Sequence, residues 1–342
     1  MNQNILKGLL IILVIFDHNE YAHRMFPYFL QGFSFHVVGF FALPFLRPAD
    51  PITKKTLGKF FFSYYVPFFW MVCCLATITM QIKQNFSSVD FQNLLIALYS
   101  GNSTILKKVT QMSLLWFLPS FLSLMLLRGL IKEINATAIK IVLGIFVVLH
   151  FFIGSISSEL RNYLPLGLLP TLYVIPLIIL IVELHQRIFE KIQRFQAAIL
   201  TISAFLIVKY FQISMNLSQE LGFAEVADYK NIPALIVNDL EAITGVLLLF
   251  QLARFNLGSL IEKCGMNSLQ VYLLHAFVAL VIFKSLEKFP YIMLDLRLAL
   301  SLILTIIVSS LIAKSAMNNS SIKRYLFPKN WIEFTNPKKN PN

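Results

Sequence analysis

Three histidines stand inside apolar stretches of this sequence, far apart along the chain. His18 follows the run KGLLIILVIFD, His36 lies in FSFHVVGFF, and His275 lies in VYLLHAF. Histidine is the side chain best suited to take up and release a proton near neutral pH. Ionisable side chains within apolar segments are costly, so they are functional candidates by default. The chemistry they indicate is either proton abstraction from an alcohol or a proton relay through a membrane.

The three histidines are predicted to lie at similar depth in their helices. At a rise of about 1.5 Å per residue, His18 lies about 20 Å from the inner end of its span, His36 about 14 Å from the outer end and His275 about 12 Å from the inner end. In an apolar core about 30 Å thick, these positions converge on the central and outer-central layer. A single intramembrane histidine often only hydrogen-bonds a neighbouring helix, and that alternative stays open for His36 and His275.

Other ionisable residues lie near the same depth. Asp17 precedes His18, and adjacent residues on a helix point about 100° apart, so Asp17 is expected to face another helix or the substrate. Lys209 is close enough to a span end to extend its ammonium group to water. Asp239 and Glu241 either line an aqueous cavity or cap a helix near water. Boundary or packing roles are expected for the remaining histidines, His23, His150 and His185.

The composition predicts that membrane-spanning helices position these residues. Of the 342 residues, 57% are hydrophobic and only 13% are charged, and the mean hydropathy is +0.70. A soluble domain carries about 25% charged residues, so the chain is predicted to be a polytopic membrane protein. Spans of about 20 apolar residues predict an all-α transmembrane bundle of about ten helices, over 5–22, 27–46, 60–81, 112–130, 139–156, 166–185, 196–213, 233–253, 267–283 and 293–313.

The basic residues predict the orientation of this bundle. Most of the 29 lysines and arginines fall in alternate inter-span segments, which by the positive-inside rule places both termini in the cytoplasm. The longest predicted outer loop, near 214–231, is acidic. One transmembrane domain is expected over 1–313, followed by a basic cytoplasmic tail over 314–342 that ends in a polar, flexible segment.

The distribution of charge argues against a nucleic-acid-binding protein, and the cysteine spacing argues against a metal-binding one. The formal net charge of +12 lies between apolar runs, where it serves as a topology determinant, so no nucleic-acid partner is expected. The three cysteines, Cys73, Cys74 and Cys264, show no spacing typical of metal ligands. No metal cofactor is therefore expected, and the partners predicted from composition are membrane lipids.

Five stretches resemble, in order, the motifs of acyltransferase family 3, the integral-membrane acyltransferases that O-acetylate sugars. Lys7 stands ten intervening residues before His18, like that family's Arg/Lys-x10-His signature, and FHVVGFF resembles its FH-x-P-x-FF helix with His36 in place. The other three stretches are TKKTLGKFFFSYYVPFF with Lys54, Lys55, Lys59 and Pro67, SLLWFLPSFL with Trp116, and CGMNSLQVYLLHAF with Gly265, Asn267, Ser268, Tyr272 and His275.

The chain departs from the family pattern at two places. Leu43-Pro44 stands where the second helix usually carries Ser-Gly, and the first basic residue is Lys7 where arginine is commoner. Lysine acts as a point charge and cannot make a bidentate contact with an anion. Neither departure removes a histidine.

The resemblance implies an O-acetyltransferase of the bacterial cytoplasmic (inner) membrane, which moves acetyl from acetyl-CoA to a hydroxyl of a cell-surface polysaccharide or its lipid-linked precursor. His18 is the predicted general base, with His36 or His275 as an orienting or oxyanion-stabilising partner and Asp17 facing the substrate or another helix. The predicted ligands of the coenzyme A phosphates are Lys7, Lys54, Lys55 and Lys59. The predicted sugar-binding residues are Trp116, Asn267 and Tyr272.

Simpler explanations remain open for several of these residues. The lysine cluster can be a topology determinant alone, and the aromatic side chains can simply pack. The whole chain can also be a proton-coupled secondary transporter or flippase that uses the same histidines, although no internal symmetry of the transporter kind is visible. Another membrane transferase acting on polyprenyl-linked sugars, or a family member without activity, are the further alternatives.

Overall fold

The computed structural model describes residues 1–30, 35–83, 87–133, 136–152, 163–217, 232–328 and 331–335. Within these ranges the chain forms helices and turns, and no β-strand occurs. The first ten α-helices are α1 (Gln3–Asp17), α2 (Glu20–Met25), α3 (Pro27–Leu30), α4 (Phe35–Ala42), α5 (Lys54–Phe60), α6 (Val66–Lys83), α7 (Ser88–Ser100), α8 (Ser103–Thr110), α9 (Phe117–Glu133) and α10 (Ala136–Phe152). The others are α11 (Leu168–Leu184), α12 (Arg194–Ser214), α13 (Ile232–Leu252), α14 (Ser259–Met266), α15 (Ser268–Glu287), α16 (Leu294–Asn318), α17 (Ser320–Leu326) and α18 (Trp331–Thr335).

Eight helical stretches of the described residues are long and apolar enough to cross a membrane. They are Pro27–Leu46 (described at 27–30 and 35–46), Lys54–Ile82, Leu114–Ile131, Pro165–Phe189, Arg194–Ser214, Ile232–Leu252, Ser268–Glu287 and Leu294–Asn318. Each coincides with a predicted span, and the prediction of an all-α membrane bundle is confirmed. The predicted spans at 5–22 and 139–156 overlap the shorter helices α1 and α10, and residues 153–156 lie outside the described ranges. The number of spans and the cytoplasmic termini stay predictions.

The described residues divide into two compact units that interleave along the chain. Unit 1 lies within Met1–Leu43, Leu177–Leu221 and Lys230–Asn318. Unit 2 lies within Pro44–Pro176 and Asn319–Asn342. His18, His36 and His275 all belong to unit 1, so the packing of that unit determines the geometry of the predicted site.

The first helix of unit 1 ends earlier than predicted. The helix α1 spans 15 residues and stops at Asp17, with His18 at its C-terminal boundary. The Asn19 side chain then caps α2, since its Oδ1 accepts hydrogen bonds from the backbone N–H groups of Tyr21 and Ala22. Its Nδ2 donates to Ser301 Oγ on α16 at 2.7 Å. Because a cap residue interrupts the apolar run, His18 lies at a break between two helices instead of inside one.

Two glycines allow α1 and α14 to pack with their backbones in close approach. A Cβ atom added at Gly8 would lie 2.0 Å from the carbonyl oxygen of Ile261, and one added at Gly265 would lie 1.8 Å from that of Asn4. No larger residue fits at either position without moving a helix. At the opposite side of α1, a Cβ atom at Gly39 would lie 2.4 Å from Leu10 Cδ2. These contacts fix α4 and α14 against α1, and so the positions of their neighbouring histidines.

Unit 2 contains a helical hairpin and the described part of the C-terminal tail. The helices α7 and α8 meet at Gly101, which adopts a left-handed φ of 64°. Of the polar end of the tail, 327–342, which was expected to be flexible, the structure describes 327–328 and α18. Arg324 on α17 donates to the carbonyl oxygens of Phe334 and Thr335 there, each at 2.8 Å. The acidic outer loop predicted near 214–231 lies outside the described residues from 218 onward.

Candidate active site

His18 and His275 lie face to face in unit 1. Their ring centroids are 5.6 Å apart and the rings are inclined by 24°. His18 is exposed, whereas His275 is completely buried. The break after α1 therefore leaves one imidazole accessible, while α15 holds a second, buried imidazole 5.6 Å from it.

The backbone determines which nitrogen of His275 carries a proton. His275 Nδ1 lies within hydrogen-bond distance of the Tyr272 carbonyl oxygen. Because a carbonyl only accepts, Nδ1 must be the donor, and in the neutral ring Nε2 is then the basic nitrogen. Nε2 is buried and has no hydrogen-bond partner among the described residues. His275 is thus prepared to accept a proton, and it becomes a second donor only when the ring is charged.

His36 pairs with Asp17. Its Nε2 lies 3.7 Å from Asp17 Oδ2, with the His36 side chain 2% exposed and the Asp17 side chain 19% exposed. The two residues come from α1 and α4, which pack through Gly39. Asp17 therefore faces another helix, as its 100° offset from His18 predicts, and orients the second-span histidine instead of its neighbour in sequence.

A buried ion pair lies in the same unit. Lys209 Nζ on α12 lies 3.0 Å from Glu241 Oε1 on α13, and the two side chains are 3% and 1% exposed. Lys209 also donates to Gln212 Oε1 at 2.8 Å, and Gln212 Nε2 donates to Asn238 Oδ1 at 2.6 Å.

This pair corrects the sequence interpretation of Lys209. The side chain does not extend toward water but is enclosed by α12, α13 and the ring of Phe29, 5.3 Å from its Nζ. Glu241 is likewise buried, so it neither caps a helix at the surface nor faces open water. The available signal was the presence of opposite charges at comparable depth in consecutive spans, which favours a pair over two independent residues.

The remaining predicted site residues fall into both units. Tyr272, Asn267 and Lys7 belong to unit 1, where the Tyr272 ring lies 5.7 Å from that of His275. Asn267 forms the junction between α14 and α15. Unit 2 holds the other predicted ligands, which are Lys54, Lys55 and Lys59, exposed on α5, and Trp116, buried before α9.

The other histidines have separate environments. His150, in unit 2, stacks on Tyr173 at 4.3 Å and its Nδ1 donates to the Tyr173 carbonyl oxygen at 2.8 Å. His185 is buried, with its Nε2 3.3 Å from Glu190 Oε1. His23 is exposed and contacts the backbone carbonyl of Asp17. Among the described residues, no group of three or more His, Cys, Asp or Glu side chains is arranged to hold a metal ion.

The comparison with known proteins agrees with the motifs. The sequence model of acyltransferase family 3, described as an acyltransferase domain, matches residues 3–314. No curated protein and no solved structure matches the chain. The match covers all three site histidines and nearly the whole length, and it supports acyl transfer by a multi-pass membrane protein. The chain belongs to acyltransferase family 3.

Proposed function

We propose that this protein is an O-acetyltransferase that moves acetyl from acetyl-CoA to a hydroxyl group of a cell-surface polysaccharide or its lipid-linked precursor, in the bacterial inner membrane. The observation that carries this proposal is the His18–His275 stack, with rings 5.6 Å apart at a helix break. An exposed imidazole backed by a buried one is suited to accept a proton from an alcohol and to release it again.

His18 is the general base in this proposal. Its ring takes the proton of the sugar hydroxyl while the oxygen attacks the thioester carbonyl carbon. A tetrahedral oxyanion forms, the carbon–sulfur bond breaks, and the coenzyme A thiolate receives the proton from the His18 imidazolium. The products are the O-acetyl ester and free coenzyme A thiol, so His18 ends in its starting state.

In the proposed reaction His275 orients His18, and the Asp17–His36 pair stabilises the positive charge that develops on the histidines. The hydrogen bond from Nδ1 to the Tyr272 carbonyl holds the His275 ring in one orientation, behind His18. A neutral His275 has no free donor for an oxyanion, so its geometry favours a role in orienting His18 and sharing its positive charge. Asp17 and His36, 3.7 Å apart, supply a carboxylate that stabilises positive charge in the histidine group.

The donor side of the site is proposed at α1. Lys7 and His18 both lie on or directly after this helix, about 16 Å apart along its axis at 1.5 Å per residue. That distance is close to the reach of a pantetheine arm. Lys7 is therefore the proposed contact of a coenzyme A phosphate whose thioester end lies beside His18, while Tyr272 and Asn267 are the proposed contacts of the sugar.

Thiol release tests this proposal. Purified protein in nanodiscs is mixed with acetyl-CoA and a panel of bacterial surface glycans, and free thiol and acetylated glycan are measured. The wild-type protein is expected to release thiol with at least one glycan. His18→Ala is expected to lower kcat by about 10²–10⁴-fold, the usual contribution of a general base.

The control for this comparison is His150→Asn, in unit 2, which is expected to keep wild-type kcat. Both variants must elute as monodisperse protein and melt within a few degrees of the wild type. Thiol release that persists in His18→Ala would exclude the general-base role. Failure of the wild-type protein with every glycan would instead favour the transporter alternative.

A further inference from the structure

We propose that a buried polar cluster between α12 and α13 binds a hydroxyl group of the acceptor sugar other than the one that is acetylated. The cluster consists of Lys209, Gln212, Asn238 and Glu241, and the hydroxyl is bound by Asn238 Nδ2 and Glu241 Oε2. The inference rests on the function proposed above, because it assigns a recognition site to the acceptor of that reaction.

Lys209 determines the direction of the hydrogen bonds in the cluster. An ammonium group only donates, so Lys209 Nζ donates to Gln212 Oε1 at 2.8 Å and to Glu241 Oε1 at 3.0 Å. The Gln212 amide then presents its Nε2 to Asn238 Oδ1, which lies 2.6 Å away. The chain of hydrogen bonds therefore ends in one donor, Asn238 Nδ2, and one acceptor, Glu241 Oε2.

These two terminal atoms are buried and have no hydrogen-bond partner among the described residues. Asn238 is 9% exposed and Glu241 is 1% exposed, and a buried polar atom without a partner is costly. Because the two residues are three positions apart on α13, they lie on one face of that helix. A single hydroxyl group satisfies both atoms, since its oxygen accepts from Asn238 Nδ2 while its hydrogen is donated to Glu241 Oε2.

The charge of the cluster favours a neutral ligand. Lys209 and Glu241 cancel each other, and the two amides, Gln212 and Asn238, are uncharged. An anion would be repelled by Glu241 Oε2, and a cation would meet the N–H donor of Asn238. The ring of Phe29, 5.3 Å from Lys209 Nζ, adds an apolar surface. An aromatic ring with a few convergent polar atoms is typical of small-molecule sites and suits a sugar, which carries hydroxyl groups and apolar C–H faces.

Printed contacts place the cluster close to the helix of His36. Gly245 lies one turn along α13 from the cluster, and a Cβ atom added to it would lie 2.6 Å from Phe35 Cγ. Phe205 lies one turn along α12 from the cluster, and its ring centroid is 5.2 Å from that of Phe35. Phe35 directly precedes His36. On both helices the cluster is therefore one turn, about 5 Å along the axis, from a residue that contacts Phe35.

This placement gives the cluster a role in selecting the acceptor. His36 pairs with Asp17, the residue before His18, so contacts between adjoining residues connect the cluster with the proposed base. A sugar bound at the cluster by one hydroxyl presents another hydroxyl to His18. A site that hydrogen-bonds a hydroxyl group rejects an analogue that lacks it, because the buried polar atoms of the site are then left unpaired.

Deoxy sugars combined with one variant test this recognition. The probes are methyl glycosides of common hexoses and N-acetylhexosamines and their monodeoxy analogues, and Kd is measured by saturation-transfer NMR with the protein in nanodiscs. For wild-type protein, removal of the bound hydroxyl is expected to raise Kd by about tenfold. Asn238→Leu is expected to raise Kd for the parent glycoside by a similar factor, and to bind the parent and that deoxy analogue equally.

A second variant keeps the test decisive if Asn238→Leu does not fold. Glu241→Gln retains an oxygen for Lys209 but places an amide donor where Oε2 was, so the hydroxyl hydrogen loses its acceptor. It is expected to reduce discrimination at the same hydroxyl. The matched control is Gln251→Leu, which removes another completely buried amide of α13 that lies outside the cluster and accepts from Arg254. This control is expected to keep wild-type affinity and discrimination.

The outcomes separate this inference from the proposed function. Discrimination that persists at every hydroxyl in the cluster variants would overturn the inference and show that the cluster holds a water molecule only. Binding of none of the glycosides by wild-type protein would also overturn it, whether or not acetyl-CoA releases thiol. Binding through the cluster without any thiol release would instead refute the acyltransferase proposal and leave the cluster as a sugar site.

Discussion

At the scale of single residues, the candidate site depends on the contacts that orient each histidine ring. His18, His36 and His275 were identifiable from the sequence because each interrupts an apolar run, and ionisable residues there are rare. The contact partners of these histidines could not be identified from the sequence. His275 is oriented by the Tyr272 carbonyl and His36 by Asp17, and neither contact follows from composition or spacing. Lys209 was misinterpreted because a lysine near a span end satisfies local rules by reaching water, whereas its partner lies 32 positions away.

The tautomer of His275 leads to a prediction for His275→Asn. An asparagine amide can replace the donor at Nδ1 and keep the hydrogen bond to Tyr272, but it offers no basic nitrogen in place of Nε2. We expect this variant to fold, with kcat lowered by about 10²-fold, because His18 loses the ring that shares its charge.

The matched control is His150→Asn, since His150 makes the same kind of hydrogen bond to the Tyr173 carbonyl in unit 2. Steady-state kinetics of thiol release and thermal unfolding in detergent measure both variants. Equal kcat in His275→Asn and the wild type would mean that His275 is only a packing residue.

At the scale of elements, hydropathy predicted most spans because length and apolar composition are local properties. The hydropathy pattern did not reveal the break after Asp17, because one capping asparagine hardly changes the mean hydropathy of about 20 residues. Asn19 produces that break through three hydrogen bonds, to two backbone N–H groups of α2 and to Ser301. The helix α18, within the segment expected to be flexible, was also not anticipated, because its contacts with Arg324 involve backbone carbonyls that no composition reveals.

The glycine contacts of α1 give a prediction about stability. Gly8→Ala is expected to destabilise the protein by about 1–3 kcal/mol, as overpacking does, because the new Cβ would lie 2.0 Å from the Ile261 carbonyl oxygen. Gly144→Ala on α10 is the control. Its Cβ would meet no atom within 4 Å, so stability is expected to be unchanged or to rise by up to about 1 kcal/mol.

Thermal unfolding in one detergent compares the two glycine variants. Gly8→Ala is also expected to lower kcat, because a shift of α1 would move His18, which directly follows that helix. An unchanged melting temperature for Gly8→Ala would show that α1 and α14 can separate without cost, and that their close packing does not hold the site together.

At the scale of the whole molecule, the chain is a multi-pass membrane protein of acyltransferase family 3 whose three candidate site histidines, His18, His36 and His275, lie in one compact unit. That unit combines residues from the beginning, middle and end of the sequence, and such long-range grouping could be inferred only through the family motifs. The periodicity of a single helix does not show which helices from distant parts of the chain pack together. The basic residues predict orientation, which is a property of the chain in its membrane.

Reporter fusions measure this orientation. A fluorescent protein fused after Asn342 is expected to fluoresce, and alkaline phosphatase fused at the same place is expected to be inactive, because the basic tail is predicted to lie in the cytoplasm. Phosphatase fused within the acidic segment near 218–231 is expected to be active. The opposite pattern would show that the positive-inside assignment is reversed.

The position of the acyl donor tests the central claim most directly. In an experimental structure with a non-hydrolysable acetyl-CoA analogue, we predict the carbonyl carbon within about 6 Å of the His18 ring, because the attacking oxygen must fit between them at about 3 Å from each. The nucleotide end is predicted toward Lys7. An analogue bound with its carbonyl remote from His18 and His275 would contradict the assignment of this histidine pair to acyl transfer.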